Sequence, residues 1–130
     1  MTEDIGDEEI LARFIVSSRW YRSDLTIKQD AFIPHPSGKL SVTRHSGISK
    51  NEIWDIGKEV ATKRQATLHG RTDIKSGNCK KTGLDVILDE PPKNHVHIQN
   101  WPSEKSAIKM KALELAKFAS KLVKTESDIK

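Results

Sequence analysis

Cysteine and aromatic residues are scarce in this chain of 130 residues, and long apolar runs are absent. The one cysteine, Cys79, excludes an intrachain disulfide framework and a multi-cysteine metal cluster, and it fits a reducing compartment. No apolar run approaches the ~20 residues that a membrane span needs. The acidic start MTEDIGDEEI also lacks the basic and apolar segments of a secretory signal peptide. We therefore expect a cytoplasmic protein with no membrane partner.

What the chain does contain is typical of one folded domain. It is 35% hydrophobic and 31% charged, which is the composition of a globular protein long enough to bury a core. The first ten residues hold five acids and no base, while the remainder carries 22 bases against 13 acids. Such a basic body suits nucleic acid or an acidic protein partner, although scattered lysines also serve only to keep a surface solvated.

Apolar spacing predicts an α+β domain with a small mixed or antiparallel sheet of about four to five strands, packed by two to three helices. We predict strands over 39–45, 65–74, 84–88 and 95–101, and helices over 49–63 and 104–123. Ser49 and Glu52 match the S-x-x-E capping box, and Gly57 inside an apolar stripe indicates a close approach by another element. Trp54 is expected to pack with the Ile108, Leu115 and Leu122 stripe. The domain is expected to span 8–124, between an acidic flexible tail (1–7) and a frayed C-terminus (125–130).

The segment from residue 8 to residue 20 is ambiguous. Its apolar residues fit a helical face, and Asp7 could cap such a helix. The same residues also alternate as they would in a strand. We favour a helix over 8–17 followed by extended chain.

Several short markers resemble a family of small uncharacterised prokaryotic proteins. They are Asp30–Pro34, Leu40–Arg44, Glu52–Trp54, Leu68–Asp73, His95–Ile98 and Trp101-Pro102. The resemblance covers roughly residues 10–120. It implies a compact domain of its own kind and assigns no activity or catalytic residue. The family ending His-x-x-Ile-x-x-Trp-Pro includes His95 and leaves out His97.

The stretch NHVHIQNWP places His95 and His97 on the same face of a predicted strand, about 6.5–7 Å apart. Two such imidazoles, with His69 or Asp73 as a third ligand, would suit zinc. A polar strand edge explains the pair more simply, because no HExxH, CxxC or dense aspartate cluster accompanies it. We therefore predict no metal and no cofactor.

The stretch LHGRTD places His69, Arg71 and Asp73 on one strand face. With Arg44 and His95 from neighbouring strands, His69 and Arg71 would supply the acid, base and phosphate-binding groups of metal-independent RNA cleavage. The alternative is an Arg71–Asp73 salt bridge beside an incidental histidine. Cys79 is followed by two lysines that could lower its pKa, but the sequence signals no partner base, so Cys79 is not predicted to be a nucleophile.

In SSRWYR two arginines flank two aromatic residues, a combination that favours stacking and phosphate contact with single-stranded nucleic acid. The predicted nucleic-acid-binding residues are Arg19, Trp20, Tyr21, Arg22, Lys109, Lys117 and Lys121. The expected function is a non-enzymatic accessory or adaptor module that contacts nucleic acid or a larger protein. The alternative is a small metal-independent ribonuclease or toxin-like enzyme using His69, Arg71, His95 and Arg44.

Overall fold

The computed structural model describes residues 5–128. Its strands are β1 (Ile10–Ile15), β2 (Leu40–Arg44), β3 (Gly70–Lys75), β4 (Asp85–Leu88) and β5 (His95–Gln99). Its helices are α1 (Lys50–Lys63), α2 (Ser76–Lys81), α3 (Lys105–Phe118) and the single-turn α4 (Thr125–Asp128). Two 3₁₀ turns lie at Ser18–Trp20 and Gln29–Phe32. None of the described helices is long and apolar enough to cross a membrane.

The strands form one antiparallel sheet in the order β3-β1-β2-β5-β4. This confirms the predicted α+β class with a five-stranded sheet. β1 pairs with β3 over six residues, but it pairs with β2 only at Leu11↔Arg44 and Ala12↔Thr43. Strands β1 and β2 therefore stop pairing beyond Ala12, and this break positions the site described below.

The prediction of a helix over 8–17 is wrong, because this segment contains strand β1. Leu11 and Ile15 join the larger core cluster on one side of the sheet, whereas Ala12 and Phe14 join a second cluster on the other. A strand buried on both faces is a nearly continuous apolar run. Such a run also satisfies helical spacing, which explains the ambiguity.

The two clusters also correct the expected packing of Trp54. Trp54 lies with Phe14 and Ile53 beneath α1, whereas Leu115 and Leu122 belong to the larger cluster with Ile98 and Leu11. Helices α1 and α3 therefore cover opposite faces of the sheet. Trp54 is nevertheless buried, with 1% of its surface exposed.

Helix α1 begins where its sequence predicts. The Ser49 hydroxyl accepts from the Glu52 N–H and the Glu52 carboxylate accepts from the Ser49 N–H, which confirms the capping box. Gly57 faces Phe14 so closely that an added Cβ would lie 2.7 Å from the ring. The predicted close approach at Gly57 is thus the contact between α1 and β1.

The C-terminal helix is shorter than predicted. α3 ends at Phe118 rather than near residue 123, and its N-cap is Glu104 rather than Ser103. The following chain is extended, and Val123 exchanges backbone hydrogen bonds with Arg71 of β3. The pairing covers the outer edge of β3, which explains why the apolar stripe continues past the end of the helix.

Candidate functional site

Arg71, a predicted catalytic residue, is neutralised by two aspartates. Its Nε lies 3.0 Å from Oδ1 of Asp73 and its Nη1 lies 2.7 Å from Oδ2 of Asp128. The Trp54 indole N–H donates to the same Asp128 oxygen, and the guanidinium stacks over the Trp54 ring. Burial lowers the pKa of Arg71, but the bonds to Asp128 and Asp73 outweigh that effect and raise it. Arg71 therefore holds the C-terminal turn onto the sheet.

The other predicted catalytic residues lie in separate environments. Arg44, on the same face as Leu40 and Val42 as predicted, is buried and binds the Glu9 carboxylate through Nε and Nη2. His69 Nδ1 lies 3.3 Å from the Tyr21 hydroxyl. His95 is on β5, three strand spacings or about 14 Å from β3. The structure thus leaves His95 well apart from Arg71.

The two histidines of NHVHIQNWP differ in their partners. His97 is 7% exposed, and both of its ring nitrogens are engaged, by Oδ2 of Asp89 and by Oε1 of Gln99. The hydrogen bond from His97 is the main reason why the pKa of Asp89 is lowered. His95 uses only Nδ1, which lies 2.9 Å from the Asp89 carbonyl oxygen and 3.4 Å from its carboxylate.

Arg13 of β1 lies where β1 and β2 stop pairing. Its Nε donates to the Ala31 carbonyl at 2.8 Å and its Nη1 donates to the Ser41 carbonyl at 3.0 Å. The guanidinium lies 5.0 Å from the ring centroid of Trp20. Among the side chains that the structure describes, no carboxylate pairs with Arg13, although it is only 6% exposed. Arg13 is thus a buried cation with neutral partners.

The electrostatic effect of this burial is large. Desolvation, followed by repulsion from Arg64, lowers the pKa of Arg13 from 12.5 to about 9. The group still carries its charge at neutral pH. A buried charge without a counterion is unfavourable, so an anion placed beside Arg13 would be stabilised.

Arg13 lines two adjoining cavities, and a third cavity adjoins the second of them. We call the three together the groove. The first, of about 220 Å³, shares Arg13, Ser41, Arg64 and His95 with the second, of about 400 Å³. The second shares Ile33, Pro34 and His35 with the third, of about 410 Å³. The groove therefore runs from the end of α1, past Arg13, to the start of α3.

The groove is lined by cations and by two tryptophan rings. Its cations are Arg13, Lys39, Lys63, Arg64, Lys105 and Lys109, and its described walls hold a single carboxylate, that of Asp89. Trp20 lines the second cavity and Trp101 lines the third. An extended polyanion with flat rings matches this arrangement.

Two of the predicted nucleic-acid-binding residues, Trp20 and Lys109, line the groove. Three others, Arg22, Lys117 and Lys121, line a separate cleft of about 430 Å³ beside α3. Arg19 is exposed on its 3₁₀ turn. Tyr21 contacts His69 instead.

The groove residues that sequence reasoning missed are chiefly Arg13 and Arg64. Arg13 is the only charged residue in the apolar strand ILARFI, and a lone charge in a strand that is buried on both faces is the signal that could have identified it. Arg64 follows α1, and only the fold brings it to Arg13.

Cys79 and the carboxylates add no further reactive centre. Burial raises the pKa of the Cys79 thiol to about 12, which keeps it protonated and unreactive. Within residues 5–128, no group of three or more histidine, cysteine, aspartate or glutamate side chains is arranged to hold a metal ion.

The fold and the groove define the chain as an α+β domain with a cationic groove beside an interrupted strand pair. No protein-family model, curated protein or solved structure matches it. The resemblance to a prokaryotic family therefore stays a prediction.

Proposed function

We propose that this protein binds single-stranded nucleic acid in the groove, with one backbone phosphate between Arg13 and Arg64. The observation that carries this proposal is the buried Arg13 guanidinium, which has no carboxylate partner among the described side chains and lies where two cavities meet. Guanidinium groups bind phosphate oxygens through paired hydrogen bonds. A bound phosphate would supply the missing countercharge.

A nucleic acid strand fits the groove better than a small anion does. The cavities adjoin one another, and Lys39 and Lys109 extend the positive charge in the direction away from Arg64. Trp20 and Trp101 are partly exposed indole rings on the groove wall. The Arg13 guanidinium lies 5.0 Å from the Trp20 ring centroid, so a base would stack beside that cation or on Trp101. Base–aromatic stacking contributes about 1–3 kcal/mol per base. A duplex has its bases stacked inside and is too wide for such cavities. The proposal therefore specifies a single strand.

The proposed role is that of an accessory or adaptor module. An acidic segment of a larger protein is the other polyanion that a cationic groove accepts, but its carboxylates lack the planar bases that would use the indole rings of the groove. We place the protein in the cytoplasm, because its one cysteine is a buried free thiol.

Fluorescence anisotropy with a labelled single-stranded oligonucleotide tests this function. Arg64→Gln removes an exposed cation from the groove and should weaken binding about tenfold, since charged hydrogen bonds contribute roughly 1.5–3 kcal/mol. Lys58→Gln is the matched control, because Lys58 is an exposed cation of α1, the helix that Arg64 follows, and it lines none of the three cavities. Equal losses from both variants would overturn the proposal.

Arg13→Lys provides the second measurement. It keeps the charge but loses the paired donors, so binding should weaken at least as much as in Arg64→Gln. Thermal unfolding of the same variant establishes that the sheet has formed. A folded Arg13→Lys protein with unchanged affinity would contradict a phosphate contact at Arg13, and an acidic peptide that displaces the oligonucleotide at equal concentration would favour a protein partner.

A further inference from the structure

The groove contains a histidine beside its two arginines. His95 lines the same two cavities as Arg13 and Arg64. Its ring is partly exposed and is held on β5 between Val96 and the Pro91–Asn94 turn. An imidazole beside the proposed phosphate is positioned to act on that phosphate or on its neighbouring hydroxyl groups.

The tautomer of His95 follows from its hydrogen bond. Nδ1 lies 2.9 Å from the carbonyl oxygen of Asp89, and a carbonyl oxygen only accepts. Nδ1 must therefore carry the proton, which leaves Nε2 of the neutral ring with its lone pair. Among the described residues Nε2 has no hydrogen-bond partner. His95 thus presents an unoccupied base on a ring that lines the groove.

The other four histidines lack this combination. His97 uses both nitrogens, and Nε2 of His45 is held by Asp73. His69 lines none of the three cavities. His35 lines the groove, but its Nδ1 accepts from the Ser37 N–H, so the neutral ring carries its proton on Nε2. Of the five histidines, only His95 both lines the cavities of Arg13 and has a ring nitrogen whose lone pair has no partner among the described residues.

We infer that the groove cleaves RNA at the phosphodiester held by Arg13 and Arg64, with His95 as the catalytic base. This inference rests on the proposed function. It differs from the sequence-based alternative, because Arg71 and Arg44 are neutralised and His69 lies outside the groove. The substrate class is single-stranded RNA, since the reaction requires the 2′-hydroxyl.

The reaction is an internal transesterification. Nε2 of His95 takes the proton of the 2′-hydroxyl while the 2′-oxygen attacks phosphorus. An O2′–P bond forms and the P–O5′ bond breaks. The departing 5′-oxygen takes a proton from water, and the resulting hydroxide removes the proton from His95. Arg13 and Arg64 stabilise the negative charge that builds up on the phosphoryl oxygens. The products are a 2′,3′-cyclic phosphate and a 5′-hydroxyl.

The experiment follows binding and cleavage together, using the full chain and one labelled oligoribonucleotide. His95→Gln should lower the cleavage rate at least about 100-fold, the usual contribution of a positioned base, while anisotropy shows binding within a few-fold of the parent. His69→Gln, purified identically, is the matched control and should cleave normally. Mass spectrometry should find the cyclic phosphate, and an oligonucleotide with deoxyribose throughout should bind without being cut.

The outcomes separate the inference from the proposed function. Binding without cleavage overturns the catalytic inference alone, and absence of both binding and cleavage overturns the two together. If His95→Gln cleaves as fast as the parent protein, a contaminating nuclease or another base is responsible. If His69→Gln loses cleavage, the catalytic residues predicted from the sequence are favoured. Either result rejects His95 as the catalytic base. The all-deoxyribose oligonucleotide tests the mechanism even if His95→Gln folds poorly. It has no 2′-hydroxyl, so its cleavage by the parent protein would contradict the mechanism.

Discussion

Three arginines are buried in this small domain, and their partners decide what each can do. Arg44 is held by Glu9, and Arg71 is held by Asp73 and Asp128. Arg13 has only backbone carbonyls and the Trp20 ring among the described residues. A guanidinium whose buried charge is already balanced by a carboxylate gains less from a phosphate than one that has no counterion. Arg13 is therefore the residue of the three that gains most from an external anion.

The close contact between Gly57 and the Phe14 ring makes Gly57 sensitive to any added side-chain atom. Gly57→Ala should destabilise the protein by about 1–3 kcal/mol through overpacking, even though alanine favours a helix by about 1 kcal/mol. The reason is that the new Cβ would lie 2.7 Å from a buried ring. Urea unfolding measures the change. Lys58→Ala, at the exposed neighbouring position, should be nearly neutral, and a more stable Gly57→Ala protein would mean that α1 lies farther from β1.

At the scale of elements, the C-terminal turn is tied to the sheet by Asp128. Burial opposes ionisation of Asp128, but the hydrogen bonds from Arg71 and Trp54 outweigh it and lower its pKa to about 2. An unfolded aspartate has a pKa of about 3.9. The folded state thus binds fewer protons, so Asp128 stabilises the fold above about pH 4, and this contribution is lost as the pH falls through about 2.

Asp128→Asn should therefore lower the melting temperature at neutral pH. The difference in melting temperature between the variant and the parent protein should become smaller as the pH falls from about 5 towards about 2. Calorimetry across that range measures both effects. Asp85→Asn, at an exposed position on β4, should parallel the parent protein throughout. If the difference in melting temperature between Asp128→Asn and the parent protein did not change with pH, the Arg71–Asp128 ion pair would contribute nothing to folding.

Elements with their own end signals could be predicted from the sequence, and elements that depend on distant partners could not. α1 has a capping box, and β2 and β5 alternate polar and apolar residues along the chain, with Ser41 beside Val42 and His97 beside Val96. β1 has no such alternation, because both of its faces are buried. The chain after Phe118 continues an apolar stripe that serves pairing with β3 rather than a helix. The histidine pair was visible in the sequence, but only the fold shows that His95 lines the same cavities as Arg13 and lies apart from Arg71.

At the scale of the whole molecule, the acidic N-terminal residues pair with cations at one end of the sheet. Glu9 binds Arg44, Glu8 lies near Lys75 and Asp7 binds Lys80. Ile5 is buried, so the described part of the predicted tail packs on the domain. The cations of the groove lie elsewhere. The surplus of positive charge is therefore placed where a polyanion could use it.

Two matched double variants test whether the groove or the net charge binds nucleic acid. Lys105→Gln/Lys109→Gln removes two cations from the groove, and Lys117→Gln/Lys121→Gln removes two from the cleft beside Arg22, so both lower the net charge equally.

The logarithm of affinity falls linearly with the logarithm of salt concentration, and each phosphate contact of a single strand adds about 0.7 to the steepness of that slope. The groove variant should reduce this slope by up to about 1.4, whereas the cleft variant should leave it nearly unchanged. Anisotropy titrations between about 50 and about 200 mM salt measure the slopes. Equal reductions would mean that the strand follows the general field of the protein, and a reduction in the cleft variant alone would move the binding surface to Arg22, Lys117 and Lys121.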